Sequence, residues 1–235
     1  MSIPTIRFFL LSSLMFLILS KVNSSPCFGK LNYTFPLEEV CYTTIFNGTN
    51  GFSLREYSGN ALGSTLVTYN ASDSITTYQE ALMLTTFYVI EYFTGDGNAL
   101  NKSLINDRTV PLLLRPPTNQ NNEWLATMAL SPSKYPSKSH PPLPIPGPSG
   151  VILKKVSDGS APLQIAVQRA DLSQDPQPSD FDTLCSKLQA SVKVQLPNWK
   201  IDETSEYTYS HARYYTEIFF GSYWTCECWA RVSKV

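Results

Sequence analysis

Histidine is almost missing from this sequence: only His140 and His211 occur in 235 residues. A Cys–His or Ser–His dyad would therefore have to use His211, since His140 sits in a proline-rich stretch that reads as a solvated loop. Charge is also scarce, with 16% Asp, Glu, Lys and Arg and a net of −1. No basic stripe occurs, which argues against nucleic acid as a partner. The Cys-x-x-Cys and His spacings of structural zinc sites are absent. So are the Gly-x-Ser-x-Gly elbow, the phosphate-cradling glycine loop and His-Glu-x-x-His. Asp96-Gly97-Asn98 looks like the start of a calcium loop but lacks its sixth-position glycine and twelfth-position glutamate. After residue 24 no apolar run is long enough to span a bilayer. These gaps point to a protein that is not an enzyme.

What is present begins with an export signal. Arg7 precedes an apolar run from Phe8 to Leu19, and Val22 and Ser24 form a small-residue exit. This layout predicts a signal peptide over 1–24 and a mature chain that is secreted or held in the secretory lumen, with no membrane span. Residues 25–39 read as an N-terminal extension. Export makes disulfides the default for cysteine, and the candidates are Cys27, Cys41, Cys226 and Cys228. Cys185 falls on the apolar side of a predicted helix and reads as a buried free thiol. Asn32, Asn47, Asn70 and Asn101 each begin an Asn-x-Ser/Thr glycosylation site in a predicted loop or element edge.

Residues 40–235 read as one domain. Strands are predicted at Val40 to Phe46, Phe52 to Tyr57 and Leu62 to Tyr69, the last two joined around Ser58-Gly59-Asn60. Ser72 or Asp73 is placed to cap a helix with Ile75, Tyr78, Ala81, Leu82, Val89, Tyr92 and Phe93 at helical period, stopped by Gly95 and Gly97. Strands follow at Thr109 to Arg115 and Trp124 to Leu130. Residues 131–150 hold seven prolines and read as a linker loop. The order then repeats: a hairpin around Asp158-Gly159, a helix from Ser179 to Val194, and strands at Tyr207 to Tyr215 and Tyr223 to Val232. The expected fold is α+β: a pseudo-two-fold β-β-α-β-β repeat, halves 40–130 and 151–235, forming a distorted antiparallel β-barrel with two helices packed outside.

Several motifs in this frame resemble the SOUL haem-binding family. Phe52-Ser53-Leu54-Arg55-Glu56-Tyr57 with Ser64-Thr65 is similar to the family's opening strands. Glu80-Ala81-Leu82 through Tyr92-Phe93-Thr94-Gly95, with Asn98 one residue late, is similar to its first helix. Arg108-Thr109-Val110-Pro111-Leu112 keeps the Thr and Pro of its Met-Thr-Ala-Pro-Val, and Ala129-Leu130-Ser131-Pro132-Ser133, Pro141-Pro142 and Trp229 follow in order. The resemblance covers about residues 40 to 232. It implies a domain that binds haem or another tetrapyrrole, on a fold shared with effector-binding domains that hold drug-like ligands. One departure is chemical: Glu56 stands where some members carry a histidine proposed to ligate iron.

Two candidate surfaces follow. Met83, Phe87 and Ile90 recur at helical spacing away from the main core stripe, as a ligand platform or a packing face. On the strand near residue 211, alternation puts Tyr207, Tyr209, His211, Arg213 and Tyr215 on one face, with His211 a candidate haem-iron ligand and Arg213 near a propionate. The leading expectation is a secreted binder of haem or another small apolar ligand, held mainly by apolar contact. Its rivals are an extracellular interaction domain that has lost its ligand, and a hydrolase acting through Glu56 or Glu80.

Overall fold

A computed structural model describes residues 38–57, 65–71, 77–118, 123–135, 140–146, 150–155, 161–214 and 224–235. The expected signal peptide, Cys27, Asn32, Ser72, Asp73, Tyr215 and the turns around Gly59, Gly159 and Gly221 lie outside them. The strands are β1 (Glu38–Glu39), β2 (Thr43–Asn47), β3 (Phe52–Tyr57), β4 (Thr65–Ala71), β5 (Thr109–Val110), β6 (Leu112–Arg115), β7 (Trp124–Ala129), β8 (Val151–Lys155), β9 (Leu163–Leu172), β10 (Trp199–Ile201), β11 (Ser210–Tyr214) and β12 (Trp224–Lys234). The helices are α1 (Tyr78–Thr94) and α2 (Pro178–Gln195), with a 3-10 turn at Ile105–Asp107.

One antiparallel sheet runs in the order β2-β3-β9-β12-β11-β6-β7-β4-β8, with β10 added against the end of β12. Each half supplies β-β-α-β-β: β3, β4, α1, β6, β7 and β8, β9, α2, β11, β12. Exchanging β3 with β8, β4 with β9, β6 with β11 and β7 with β12 reverses the path from β3 to β8 without changing it. The pseudo-two-fold order is therefore present, centred where β6 pairs with β11. The helices obey the same exchange: α1 lies on β4 and β7, and α2 on β9 and β12. Among the described residues no ladder joins β8 to β2 or β3, so the sheet is open there rather than a closed barrel.

Strand alternation sorts side chains onto two faces. Toward the helices point Phe52, Leu54, Leu112, Leu114, Ala126, Met128, Cys226 and Cys228, meeting Val89, Tyr92 and Phe93 of α1 and Phe181, Leu184, Leu188 and Val192 of α2. Toward the other side point Tyr57, Leu113, Ile165, Val167, Ala212, Tyr214 and Trp229. With both faces buried, the central strands carry continuous apolar runs rather than clean alternation.

Local details correct the sequence reading. Strand β2 starts at Thr43, not Val40, and α1 starts at Tyr78, where the Thr77 hydroxyl accepts the Glu80 N–H at 3.2 Å. Gly95, at φ 117°, ends α1 in the left-handed region, and a Cβ on Gly97 would meet the Tyr92 backbone nitrogen at 2.8 Å. At the other helix, Pro178 and the Gln177 N–H donating to Asp180 at 2.8 Å open the first turn. Cys185 is not a free thiol: it forms a disulfide with Cys228 that ties α2 to β12. Cys226 is the buried free thiol instead, and burial pushes it up to about 12. Cys226 and Cys228 share a face, as strand alternation requires, but only Cys228 lies opposite Cys185. Cys41 is also disulfide-bonded. The proline-rich stretch is more than a tether, because Tyr92 donates to the Pro142 carbonyl at 2.8 Å and the Ala99 N–H to Leu143 at 2.8 Å.

Candidate functional site

Helix α1 has more apolar surface than the sheet can cover. Tyr78, Ala81, Thr85, Val89 and Tyr92 face inward and are buried. Met83 and Phe87, on another side, are 69% and 59% exposed, and with Ile90 they line a groove of about 790 Å³. The predicted stripe is thus real, and no element of the described chain packs over it. The opposite wall comes from the segment after α1, with Ile105, Arg108 and Val110, and Leu112 and Met128 form the floor. Thr86, Glu91, Thr94 and Asp96 add the polar edge.

Two anchors hold the second wall in place. Asn98 is buried, donates to the Tyr92 and Lys102 carbonyls at 2.9 and 2.8 Å, and accepts from the Leu100 and Lys102 N–H groups. Its side chain is thereby committed to the turn, which removes it from any calcium loop at Asp96-Gly97-Asn98. Further along, Thr109 donates to the Ala129 carbonyl at 2.9 Å, and Arg108 bridges Leu130 through its backbone. Arg108 is half-buried, and burial lowers its pKa.

The second predicted set, Tyr209, His211 and Arg213, is not at this groove. The expected common face breaks at Tyr209, whose φ of 57° precedes β11 and whose hydroxyl donates to Glu203 at 2.8 Å. Tyr207 packs in the other core cluster. His211 is 4% exposed and stacks on Phe181 with ring centres 4.4 Å apart, with Tyr78 at 5.8 Å. Burial and then Arg213 push its pKa down to about 3. Arg213 pairs with Asp175 at 2.6 Å and donates to the Tyr78 hydroxyl and the Pro176 carbonyl. Both residues belong to the seam between the helices and the sheet. A face that reads as polar in sequence is covered because the two helix starts converge on β11.

Across the sheet, the opposite face holds a buried ion pair that the sequence did not reveal. Arg55 meets Glu227 through two bonds of 2.7 and 3.0 Å, and Tyr214 and Trp229 donate to the same carboxylate at 2.9 and 2.7 Å. Burial alone lowers the Arg55 pKa, but Glu227, Tyr57 and Tyr214 together outweigh it and hold the guanidinium above its ordinary range. The ion pair and the added donors offset part of the cost of taking these charges out of water. Among the described residues the cavity beside Trp229, between Val40, Leu113 and Tyr207, is only about 10 Å³. Glu56, at the position of the family histidine, is half-buried and accepts from Gln164 at 3.3 Å. Among the described residues no three His, Cys, Asp or Glu side chains cluster as metal ligands.

No protein-family model matches the chain, and no curated protein does. Its fold is similar to the solved structure of SAV2435 bound to tetraphenylphosphonium, with 11% identity and a TM-score of 0.38 over 77% of this chain and 93% of that one. That likeness carries nothing about a ligand for this chain. Among the described residues no helix is long and apolar enough to cross a membrane.

Proposed function

We propose that this chain is an exported, non-catalytic binding protein that holds haem, another tetrapyrrole or a similar small apolar ligand in the groove beside α1. The observation that carries the reading is the exposed Met83 and Phe87 over an apolar floor of Leu112 and Met128, in a groove of about 790 Å³. That volume falls in the range of small-ligand sites. Packing a flat apolar ring there gains about 25 cal/mol per Å² of apolar surface removed from water, with no special donor needed. The SOUL-like motifs support the same ligand class, since Arg108, Val110 and Leu112 of one of them line the groove.

The groove residues suit a porphyrin held by packing. His211 does not suit iron ligation, being sealed against Phe181 outside the groove. Export rests on the apolar segment over 8–19 and on Asn47, Asn70 and Asn101, whose side chains are all exposed and open to glycans. Titrating the mature protein with micromolar hemin is the test: a Soret shift with Tyr and Trp quenching is expected, and is weakened in Phe87→Ser but unchanged in His211→Gln. Hemin that leaves both signals flat overturns the reading.

A second reading has its own observation. On the far face of the sheet Arg55, Glu227 and Trp229 pack on one another beside a cavity of only about 10 Å³ among the described residues. A domain that keeps the fold for protein contact, without a small ligand, would be built in that way. Flat hemin signals would favour it.

A further inference from the structure

The groove is apolar but not neutral. Arg108 lies in its wall, half-buried, and among the described residues it has no carboxylate partner and no side-chain hydrogen bond. Two fully buried guanidiniums are matched, Arg55 by Glu227 and Arg213 by Asp175, and Arg115, though without an ion pair, feels the carboxylates of Glu206 and Glu123. Asp107, the neighbour of Arg108, is itself taken by Lys134 and Tyr135 at 2.6 and 3.1 Å. Glu91 and Asp96 also line the groove, but among the described residues neither forms an ion pair with Arg108. A half-buried cation without a counter-ion is a cost that a ligand can remove, and a planar fork of donors suits an oxyanion.

We propose that the ligand of the groove is an amphipathic anion: an apolar body lying on Met83, Phe87 and Met128, with a carboxylate-type head group paired to Arg108. This rests on the groove being the ligand site. A tetrapyrrole propionate and a fatty-acid head group share this chemistry.

Two fluorescent probes with one aromatic frame separate the two claims: anilinonaphthalene sulfonate, which is anionic, and N-phenylnaphthylamine, which is neutral. Both bind the wild-type protein, and Phe87→Ser weakens both. Arg108→Met weakens the sulfonate about tenfold or more and leaves the neutral probe within about twofold, while Arg108→Lys keeps part of the preference. An unchanged affinity for the neutral probe also shows that the Met variant is folded. If neither probe binds, or Phe87→Ser changes neither, the groove reading itself falls. If Phe87→Ser weakens both but Arg108→Met weakens neither or both alike, the groove stands and the anion proposal is overturned. Competition against the sulfonate by hemin and by an eighteen-carbon fatty acid tells the two sources apart. Displacement by either supports the proposal, and failure of both overturns it.

Discussion

His211 illustrates how a side chain's chemistry is set by what covers it. Free histidine titrates near 6.5, but between Phe181 and Tyr78 the charged ring loses its water, and nearby Arg213 adds repulsion, leaving a value of about 3. The unfolded chain therefore binds a proton at a pH where the folded chain does not. A folded pKa below the unfolded one contributes stability above about pH 6.5, and that contribution is lost as pH falls toward 3. Between about pH 7 and pH 5 the loss from this one group is about 2 kcal/mol. Urea denaturation at the two pH values checks it: His211→Phe keeps the ring stack and is expected to lose that part of the pH dependence. An equal loss in both proteins would show that His211 is charged in the fold. Arg55 and Glu227 make the complementary point, since each charge is tolerable only through its partners, which come from strands 172 residues apart. Spacing along the chain says nothing about such a pair.

Helix α1 shows how an element can serve two masters. Its 17 residues carry one stripe for the sheet and a second, with Met83 and Phe87, for the groove. Periodicity exposed both stripes but not what covered either one, because an apolar face looks the same to the sequence whether it packs inward or stays open. The helix start is hidden in the sequence for a related reason: Ser72, Asp73 and Thr77 all offer capping oxygens, and only the backbone path selects Thr77. Thr77→Ala removes the acceptor of the Glu80 N–H and is expected to cost about 1 kcal/mol, read as a lower urea midpoint at unchanged slope. No change in midpoint would mean that the cap is replaced by water. In β11 the alternation rule failed at one residue. Tyr209, with its positive φ, belongs to the turn, so the expected tyrosine face never forms. The short β10 went unseen because its three residues gain their pairing only from the far end of β12.

The molecule as a whole is held by contacts between its halves. Strands β3 and β9, and β6 and β11, pair across them, so neither half completes its sheet alone. The Cys185–Cys228 disulfide works within the second half, closing a separation of 43 residues between α2 and β12. Loop-closure entropy for that length gives roughly 4 kcal/mol, with native-state effects able to reduce it. The paired substitution Cys185→Ala with Cys228→Ala is expected to lower stability by about 2–4 kcal/mol in chemical denaturation. Equal stability of the double variant and the wild type would show that the bond is not formed in the protein.

Near-absent histidine, scarce charge, the apolar segment over 8–19 and the β-β-α-β-β order were all legible in the linear chain, because each depends on composition or on short-range period. So was the stripe of Met83, Phe87 and Ile90. Which stripe stays open, which strand face is roofed by helices, which cysteine finds Cys228 and whether Arg108 meets a counter-ion among the described residues were decided only by tertiary packing. Those outcomes depend on which distant surfaces meet, and a pattern within one element carries no record of its partner.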